Sequence, residues 1–315
     1  MSATPVGRRI AVRVDVDTHI GMRDGVPILL DLFARARVRA SFFVTMGPDH
    51  SGRAIRRVFT RPGFAGKMAR TGALRTYGLY TVLSGTLLPA RPVGAGFPHL
   101  LRLIESCGHE CGIHGWDHVL WHDRLERMAP EAIATELRRA AESFAGATGH
   151  APAGTAAPAW RATEASLAIQ DDMSFRYASD CRGRAPFRPA SSRGARGTIQ
   201  IPATLPTLDE LIGLPGMSEP SIVERLSLGL DPAGLNVLTL HTEIEGRHHA
   251  PTLLTLLRRW SADGWTFETL GETAGRALQA DVPLCAMTRG TVEGRAGWLS
   301  IQGERMAKAA AGVTP

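Results

Sequence analysis

Arg13-Val14-Asp15-Val16-Asp17-Thr18 closes the first apolar run of the chain, and its reading decides the fold. Ile10, Val12, Val14 and Val16 alternate with Ala11, Arg13, Asp15 and Asp17, the period-2 signature of a strand. Residues i and i+2 of a strand face one side, so Asp15 and Asp17 point into one space. Neighbouring carboxylates repel and lose solvation unless a cation or an arginine stands beside them. Taken alone, Asp-x-Asp reads most simply as two acids on the wet face of a half-buried strand. The rest of the chain changes that reading.

A length of 315 residues allows one large domain or two small ones, and without a repeat or an interdomain linker we expect a single catalytic domain over 1–315. The formal net charge is +6, and arginine supplies nearly all of the positive charge: lysine occurs only at Lys67 and Lys308. Arginine favours bidentate contact with phosphate and carboxylate. A basic balance suits nucleic acid, an anionic membrane or a phosphorylated substrate. No helix-turn-helix, zinc-finger or aromatic-basic strand pattern is present, so nucleic acid is the poorest of these partners. Cys107, Cys111, Cys181 and Cys285 form no paired framework, which fits a reducing compartment, and we expect Cys107 and Cys111 to be small core residues. The first residues carry no apolar signal-peptide stretch, so a cytoplasm-facing active site is expected.

Along the chain, Asp24 is placed to cap a helix running to about Arg37, and 40–46 is a second apolar strand. Strand, helix, strand in under about forty residues is a βαβ unit. The rhythm then breaks over 50–97. From His50 to Ile104 there is no Asp or Glu, whereas Arg53, Arg56, Arg57 and further arginines recur. Within this insertion, 76–90 is uncharged and rich in Leu and Tyr, shorter than the about twenty residues that span a bilayer. Such a segment suits the membrane interface, with tyrosine at headgroup level and arginine near anionic lipid. The alternation resumes with helices near 97–106 and 130–146 and a strand over 110–113. Strand-like stretches follow near 153–157, 176–179, 199–201, 236–240 and 265–267, with further helices over 218–228 and 251–262 and a last one behind them. The tail over 283–315 has no assignable element.

The residues suited to chemistry share a position: Asp15, Asp17, His114, Trp160-Arg161, Asp180 and His241 stand at or just past the C-terminal ends of predicted strands. In a β/α barrel those ends converge on one mouth. His114 and His118 are four residues apart, one turn of helix, which is a metal-ligand spacing. With one strand-end aspartate they make a two-histidine, one-carboxylate set that leaves positions open for water and substrate. Asp117 between them is expected to be solvated or to stand behind the ligands. If Asp17 is the ligand, Asp15 is left as a base that Arg161 could hold ionised, and His241 could act as an acid tuned by Asp180. Singly, each has an ordinary structural explanation; together they favour one metal site with a base and an acid beside it. His19, His50, His99, His109, His122, His150, His248 and His249 read as surface or local structure, and Glu243 and Glu245 as loop acids able to meet a sugar hydroxyl or amine.

In this order, Asp15-Val-Asp17, His114-xxx-His118, Trp160-Arg161, Asp180 and Leu238-Thr-Leu-His241 resemble the five motifs of the polysaccharide deacetylase (NodB-homology) family. The resemblance implies an α/β fold, a deformed (β/α) barrel, here with a basic, partly apolar insertion after the second strand. It implies Asp15 as base, Asp17, His114 and His118 as ligands of a divalent metal (zinc first, then cobalt, nickel or manganese), Arg161 orienting the base, Asp180 tuning and His241 as acid. Many members carry adjacent acids where this chain has Asp-x-Asp. Val14 to Thr18, Gly47 to Asp49, Tyr177 to Arg182, Ile201 to Thr207 and Arg295 to Trp298 further resemble a branch that removes the formyl group from 4-formamido-arabinose carried on undecaprenyl phosphate, in the lipid A modification behind polymyxin resistance. That branch implies a peripheral enzyme at the cytoplasmic face of the inner membrane, with Arg53, Arg56 and Arg57 as candidates for the carrier phosphate. The alternatives are N-deacetylation of a glycan and a non-catalytic binder of polyprenyl-phosphate carriers.

Overall fold

The alternation along 9–16 folds as β1 (Arg9–Val16), and both its faces are buried. A computed structural model describes residues 7–56, 81–190 and 197–306. After β1 come α1 (Val26–Ala36), β2 (Ser41–Val44), α2 (Pro98–Ser106), β3 (Glu110–Ile113), α3 (His118–Arg124) and α4 (Pro130–Thr148). Then follow β4 (Gly154–Thr155), α5 (Glu164–Asp172), β5 (Tyr177–Ala178), β6 (Arg188–Pro189), α6 (Leu208–Leu211) and α7 (Glu219–Leu228). The chain continues through β7 (Val237–His241), α8 (Ala250–Ala262), β8 (Thr266–Glu268), α9 (Leu270–Ala277), β9 (Leu284–Gly290) and β10 (Leu299–Arg305). A parallel seven-stranded sheet runs β5-β4-β3-β2-β1-β7, with β8 also on β1, and every crossover returns the next strand in the same direction.

The sheet curls, so β1 separates two cores. Ile10, Val12, Val14 and Val16 pack outward against α1 and α8 through residues such as Phe33, Leu256 and Trp260. Ala11 packs inward with Phe43, Trp160, Tyr177, Ile201 and Val237. Arg13 and Asp15 share that inward parity, which places them inside the partial barrel rather than on a wet face.

Local signals explain most helix ends. Prolines open α1, α2, α4 and α8, where the missing N–H is one the first turn leaves unpaired anyway. Gly149 ends α4 at φ 91°. Reciprocal side-chain caps open α5 (Thr163 with Ser166) and α9 (Thr269 with Glu272). Asp24 does not cap α1; it pairs with Arg23, inside a π turn over Gly21–Gly25 that feeds the helix. Residues 199–201 are not a strand either, and only isolated bridges tie Gln200 to Ala178 and Phe187. Of the 283–315 tail, the part up to Arg305 folds as the antiparallel β9–β10 hairpin, with β6 beside β9, and 307–315 lies outside the described residues. Of the 50–97 insertion, 57–80 lies outside the described residues. Its two ends are tied together, since Ser84 Oγ donates to the Asp49 carbonyl and Gly52 N–H to the Ser84 carbonyl.

At the end of the sheet away from the strand C-termini, Glu110 Oε2 accepts from the Ser41 hydroxyl, from Tyr177 OH at 2.7 Å and from Gly271 N–H at 2.9 Å. One carboxylate thus joins β2, β3, β5 and the start of α9. Glu110→Ala is expected to lower stability by about 2–4 kcal/mol, because three donors lose one acceptor. Urea unfolding checks this, and a loss under about 1 kcal/mol would mean that water replaces the carboxylate.

Candidate active site

Asp17 stands one residue past β1, His114 one residue past β3, and His118 opens α3. His114 Nε2 lies 3.3 Å from one Asp17 oxygen and His118 Nε2 3.4 Å from the other. One ligand atom from each residue falls within 4.8 Å of the others. His114 Nδ1 is 2.8 Å from the Ala156 carbonyl, and that acceptor requires the proton on Nδ1, which leaves the Nε2 lone pair facing Asp17. His114 Nε2 and Asp17 Oδ1 are buried without a hydrogen-bond partner. Burial, then Glu243 and Asp15, push the Asp17 carboxyl well above the usual carboxylate range, and burial pushes His114 down to about 4. The Nε2 lone pair of His114, the His118 imidazole and the Asp17 carboxylate gather around a common point and fit a divalent cation.

Asp15 has the opposite environment. Arg13 Nε and an Arg13 terminal nitrogen donate to its two oxygens, each at 2.7 Å, and both side chains are essentially sealed from solvent. The other Arg13 nitrogen donates to the Ser179 carbonyl and, at 3.1 Å, to its hydroxyl. Burial alone would raise the Asp15 carboxyl, but Arg13, with His114 and His241, holds it below the usual range. Arg13 therefore occupies the place expected of Arg161. The Arg161 guanidinium donates to the His122 carbonyl at 2.8 Å and stacks on Trp298 at 4.4 Å. Strand parity could have found Arg13, because it lies two residues before Asp15 on the same face.

His241 ends β7 and packs perpendicular to Trp160, their ring centres 6.2 Å apart. Trp160 is held by two consecutive left-handed residues, Ala159 at φ 57° and Trp160 at φ 51°; such non-glycine conformations collect at functional sites. The acid facing His241 Nδ1 is Asp209 at 3.8 Å, not Asp180. Asp180 is fully buried and accepts from Ala157 N–H at 2.8 Å and Gln200 Nε2 at 2.9 Å. It fixes the peptide next to the carbonyl that orients His114. Asp209 sits on α6, behind no predicted strand end, so no strand-end pattern points to it.

Glu243 and Glu245 lie in the turn between β7 and α8, as expected of loop acids, but both are buried. Glu243 accepts from Thr18 N–H at 2.8 Å, the Thr18 hydroxyl at 2.6 Å and Asp17 N–H at 3.2 Å, which sets the backbone under Asp17. Glu245 accepts from His241 N–H at 2.8 Å, and burial pushes its carboxyl up to about 8. Asp117 is not solvated: it caps α3 through Val119 and Leu120 N–H and meets His50 Nδ1 at 2.6 Å, so His50 is part of this support rather than surface. His109 and His122 are buried as well, whereas Cys107 is exposed and Cys111 buried. Arg53 is exposed and donates to the Gly85 carbonyl. The Arg56 side chain and Arg57 lie outside the described residues.

A parallel β/α partial barrel with an Asp-His-His cluster and a buried Arg-Asp pair at its strand ends has the architecture of a carbohydrate-type amide hydrolase. The chain belongs to the polysaccharide deacetylase family, whose model matches residues 7–178. It is 36% identical over 95% of its length, and 96% of the relative's, to a protein of Shewanella sediminis named "Probable 4-deoxy-4-formamido-L-arabinose-phosphoundecaprenol deformylase ArnD". A protein of the same name from Wigglesworthia glossinidia brevipalpis is 29% identical over 90% of this chain and 98% of its own. Among solved structures, a polysaccharide deacetylase-type protein from Mycobacterium smegmatis superposes with a TM-score of 0.64 at 19% identity, covering 92% of this chain and 98% of that one. A probable polysaccharide deacetylase from Pseudomonas aeruginosa PAO1 gives 0.61 at 15% identity, covering 87% and 92%. These two show the fold.

Arg13→Met is expected to cost about 3–5 kcal/mol at pH 7, since it leaves the Asp15 carboxylate buried without its partner. The folded Asp15 carboxyl lies below its unfolded value. Its contribution is therefore complete above the unfolded pKa and is lost as pH falls through the folded one. The deficit of the variant should shrink on acidification, which urea unfolding at pH 7 and at lower pH measures.

Proposed function

We propose that this chain is a metal-dependent deformylase that converts undecaprenyl-phosphate-linked 4-deoxy-4-formamido-L-arabinose to the 4-amino sugar lipid and formate. One observation carries the step from family to substrate: similarity at 36% identity to a relative of that name runs over nearly all of both chains. The chain acts as a single catalytic domain over 1–315 in this reading.

Asp17, His114 and His118 would hold the cation. When bound, it supplies Lewis acidity toward the formyl oxygen and makes water a better nucleophile near neutral pH. Zinc suits two imidazoles and one carboxylate, and cobalt, nickel or manganese also fit. Asp15, kept ionised and aimed by Arg13, takes a proton from the attacking water. His241, backed by Asp209, protonates the sugar nitrogen as the carbon–nitrogen bond breaks, so formate and the free amine leave. Asp180 acts at a distance by holding the 156–157 peptide that fixes the His114 tautomer, and Arg161 packs the Trp298 side of the site. Asp17 is favoured over Asp15 as the ligand because it alone has both imidazoles within 3.4 Å and no arginine hydrogen-bonded to it.

The reaction would take place at the cytoplasmic face of the inner membrane, with the protein bound peripherally. Two features support this: the acid-free, arginine-rich stretch from 50 to 104 and the exposed Leu87 within it. Basic side chains near an anionic surface add about 1 kcal/mol each. Among the described residues no helix is long and apolar enough to cross a membrane.

Detergent-solubilised protein offered the formamido lipid and an N-acetylglucosamine oligomer, with and without chelator, tests the reading. Formate from the lipid alone, abolished by chelator and restored by metal, is expected. Acetate from the oligomer would instead identify a glycan deacetylase, and neither product from metal-loaded protein a carrier-binding protein. Asp17→Ala should lose bound metal together with activity; lost activity with full metal content would overturn the ligand assignment. Asp180→Ala should weaken metal binding by about 10–100-fold while every ligand remains, because the support behind His114 is gone.

A further inference from the structure

Three guanidinium groups surround one indole. Arg13, Arg182 and Arg295 lie 5.0, 5.1 and 4.7 Å from the centre of the Trp160 ring, the same ring that packs against His241. Two of the three are already committed. Arg13 is spent on Asp15 and Ser179. Arg182 donates to the Leu205 carbonyl at 2.7 Å and to Glu210 Oε1 at 3.4 Å, and it is buried.

Arg295 differs. Among the described residues its guanidinium makes no hydrogen bond, and its nearest acid is the same Glu210 oxygen, 3.7 Å away and shared with Arg182. The other Glu210 oxygen accepts from Thr207 N–H at 3.1 Å, so one carboxylate faces two positive charges. With 12% of its surface exposed, the Arg295 side chain keeps an edge toward solvent.

The backbone holds this arginine in place. Arg295 N–H bonds to the Val292 carbonyl in the β9–β10 turn. Gly294 has φ 77°, and a Cβ there would lie 1.9 Å from the Glu210 carbonyl oxygen. Only glycine lets the hairpin press so closely on α6, and that contact delivers Arg295 to the Trp160 ring. A stacked, immobilised guanidinium with unspent N–H donors is preorganised for bidentate contact with a phosphate.

We infer that Arg295 is the anion-recognising residue of the site and takes the phosphodiester of the sugar carrier, with Trp160 as its platform. The inference rests on the deformylase reading, in which the phosphodiester lies across one sugar ring from the scissile amide. Arg53, from the insertion, is exposed and donates to the Gly85 carbonyl, and no contact with this ring is found among the described residues.

The test measures binding by metal-loaded protein of two probes: a short-chain prenyl phosphodiester of 4-amino-arabinose and the phosphate-free methyl glycoside. Arg295→Gln should reduce the preference for the phosphodiester at least tenfold, and Arg295→Lys, which keeps the charge without the fork, should recover part of it. Full metal content in both variants separates lost recognition from a collapsed site. An unchanged preference in Arg295→Gln, or complete loss in Arg295→Lys equal to that in Gln, overturns the assignment. Formate release from the lipid by the wild-type protein is scored alongside. Its presence with unchanged preference sinks this inference alone, and its absence sinks the deformylase reading and the inference with it.

Discussion

The site depends on an ion pair that water cannot reach. Arg13 and Asp15 occupy the inward face of β1, two residues apart, inside a curled sheet whose inner side also packs Phe43, Trp160 and Tyr177. A buried pair is costly to form, and it persists only where geometry is good and the remaining donors are satisfied. Both conditions hold: the contact is bidentate, and the third guanidinium nitrogen is taken up by Ser179. Because Arg13 also lies over Trp160, the pair couples the base to the ring that carries His241 and Arg295.

Support for the metal cluster comes from a second line of contacts. Asp180 holds Ala157 N–H, the preceding carbonyl accepts from His114 Nδ1, and the free Nε2 then faces Asp17. Glu243 holds the amides of Asp17 and Thr18, and Asp117 caps the helix that presents His118. None of these acids need touch a substrate. Each fixes a backbone segment at a strand end, which is how short strands and tight loops keep three ligand atoms together.

Much of this was legible in the sequence because one rule, chemistry at the C-terminal ends of parallel strands, needs only period-2 runs and their stops. Asp15, Asp17, His114 and His241 were found that way, and the structure brings them to one end of the sheet. Parity also contains Arg13, which lies inside the strand, where a rule about strand ends does not point. The partners misassigned were those set by tertiary contact. Arg161 and Asp180 have suitable types at suitable ends, yet the curl of the sheet turns one toward Trp298 and the other under Ala157. Asp209 and Arg295 come from a four-residue helix and a hairpin turn with no periodicity to read. The strand-like 199–201 failed because an apolar triplet can be buried by isolated bridges as well as by a ladder.

Two aspartates with one intervening residue receive opposite electrostatic treatment, and that contrast separates their roles. Asp15 has an arginine at 2.7 Å and is held below the usual carboxylate range despite burial. Asp17 has no arginine hydrogen-bonded to it, and burial, then Glu243 and Asp15, drive it well above that range. A group whose charge is already compensated can accept a proton from water without reorganising its surroundings. A group that lacks compensation gains most from a cation. The spacing Asp-x-Asp, rather than two adjacent acids, keeps both carboxyls on the inward face, where one can meet Arg13 and the other can lean past the strand end toward His114 and His118. Adjacent acids on a strand would face opposite sides, so an Asp-Asp pair needs the strand to end between them. Here the strand continues through Asp15 to Val16, and parity alone delivers both acids to the same space.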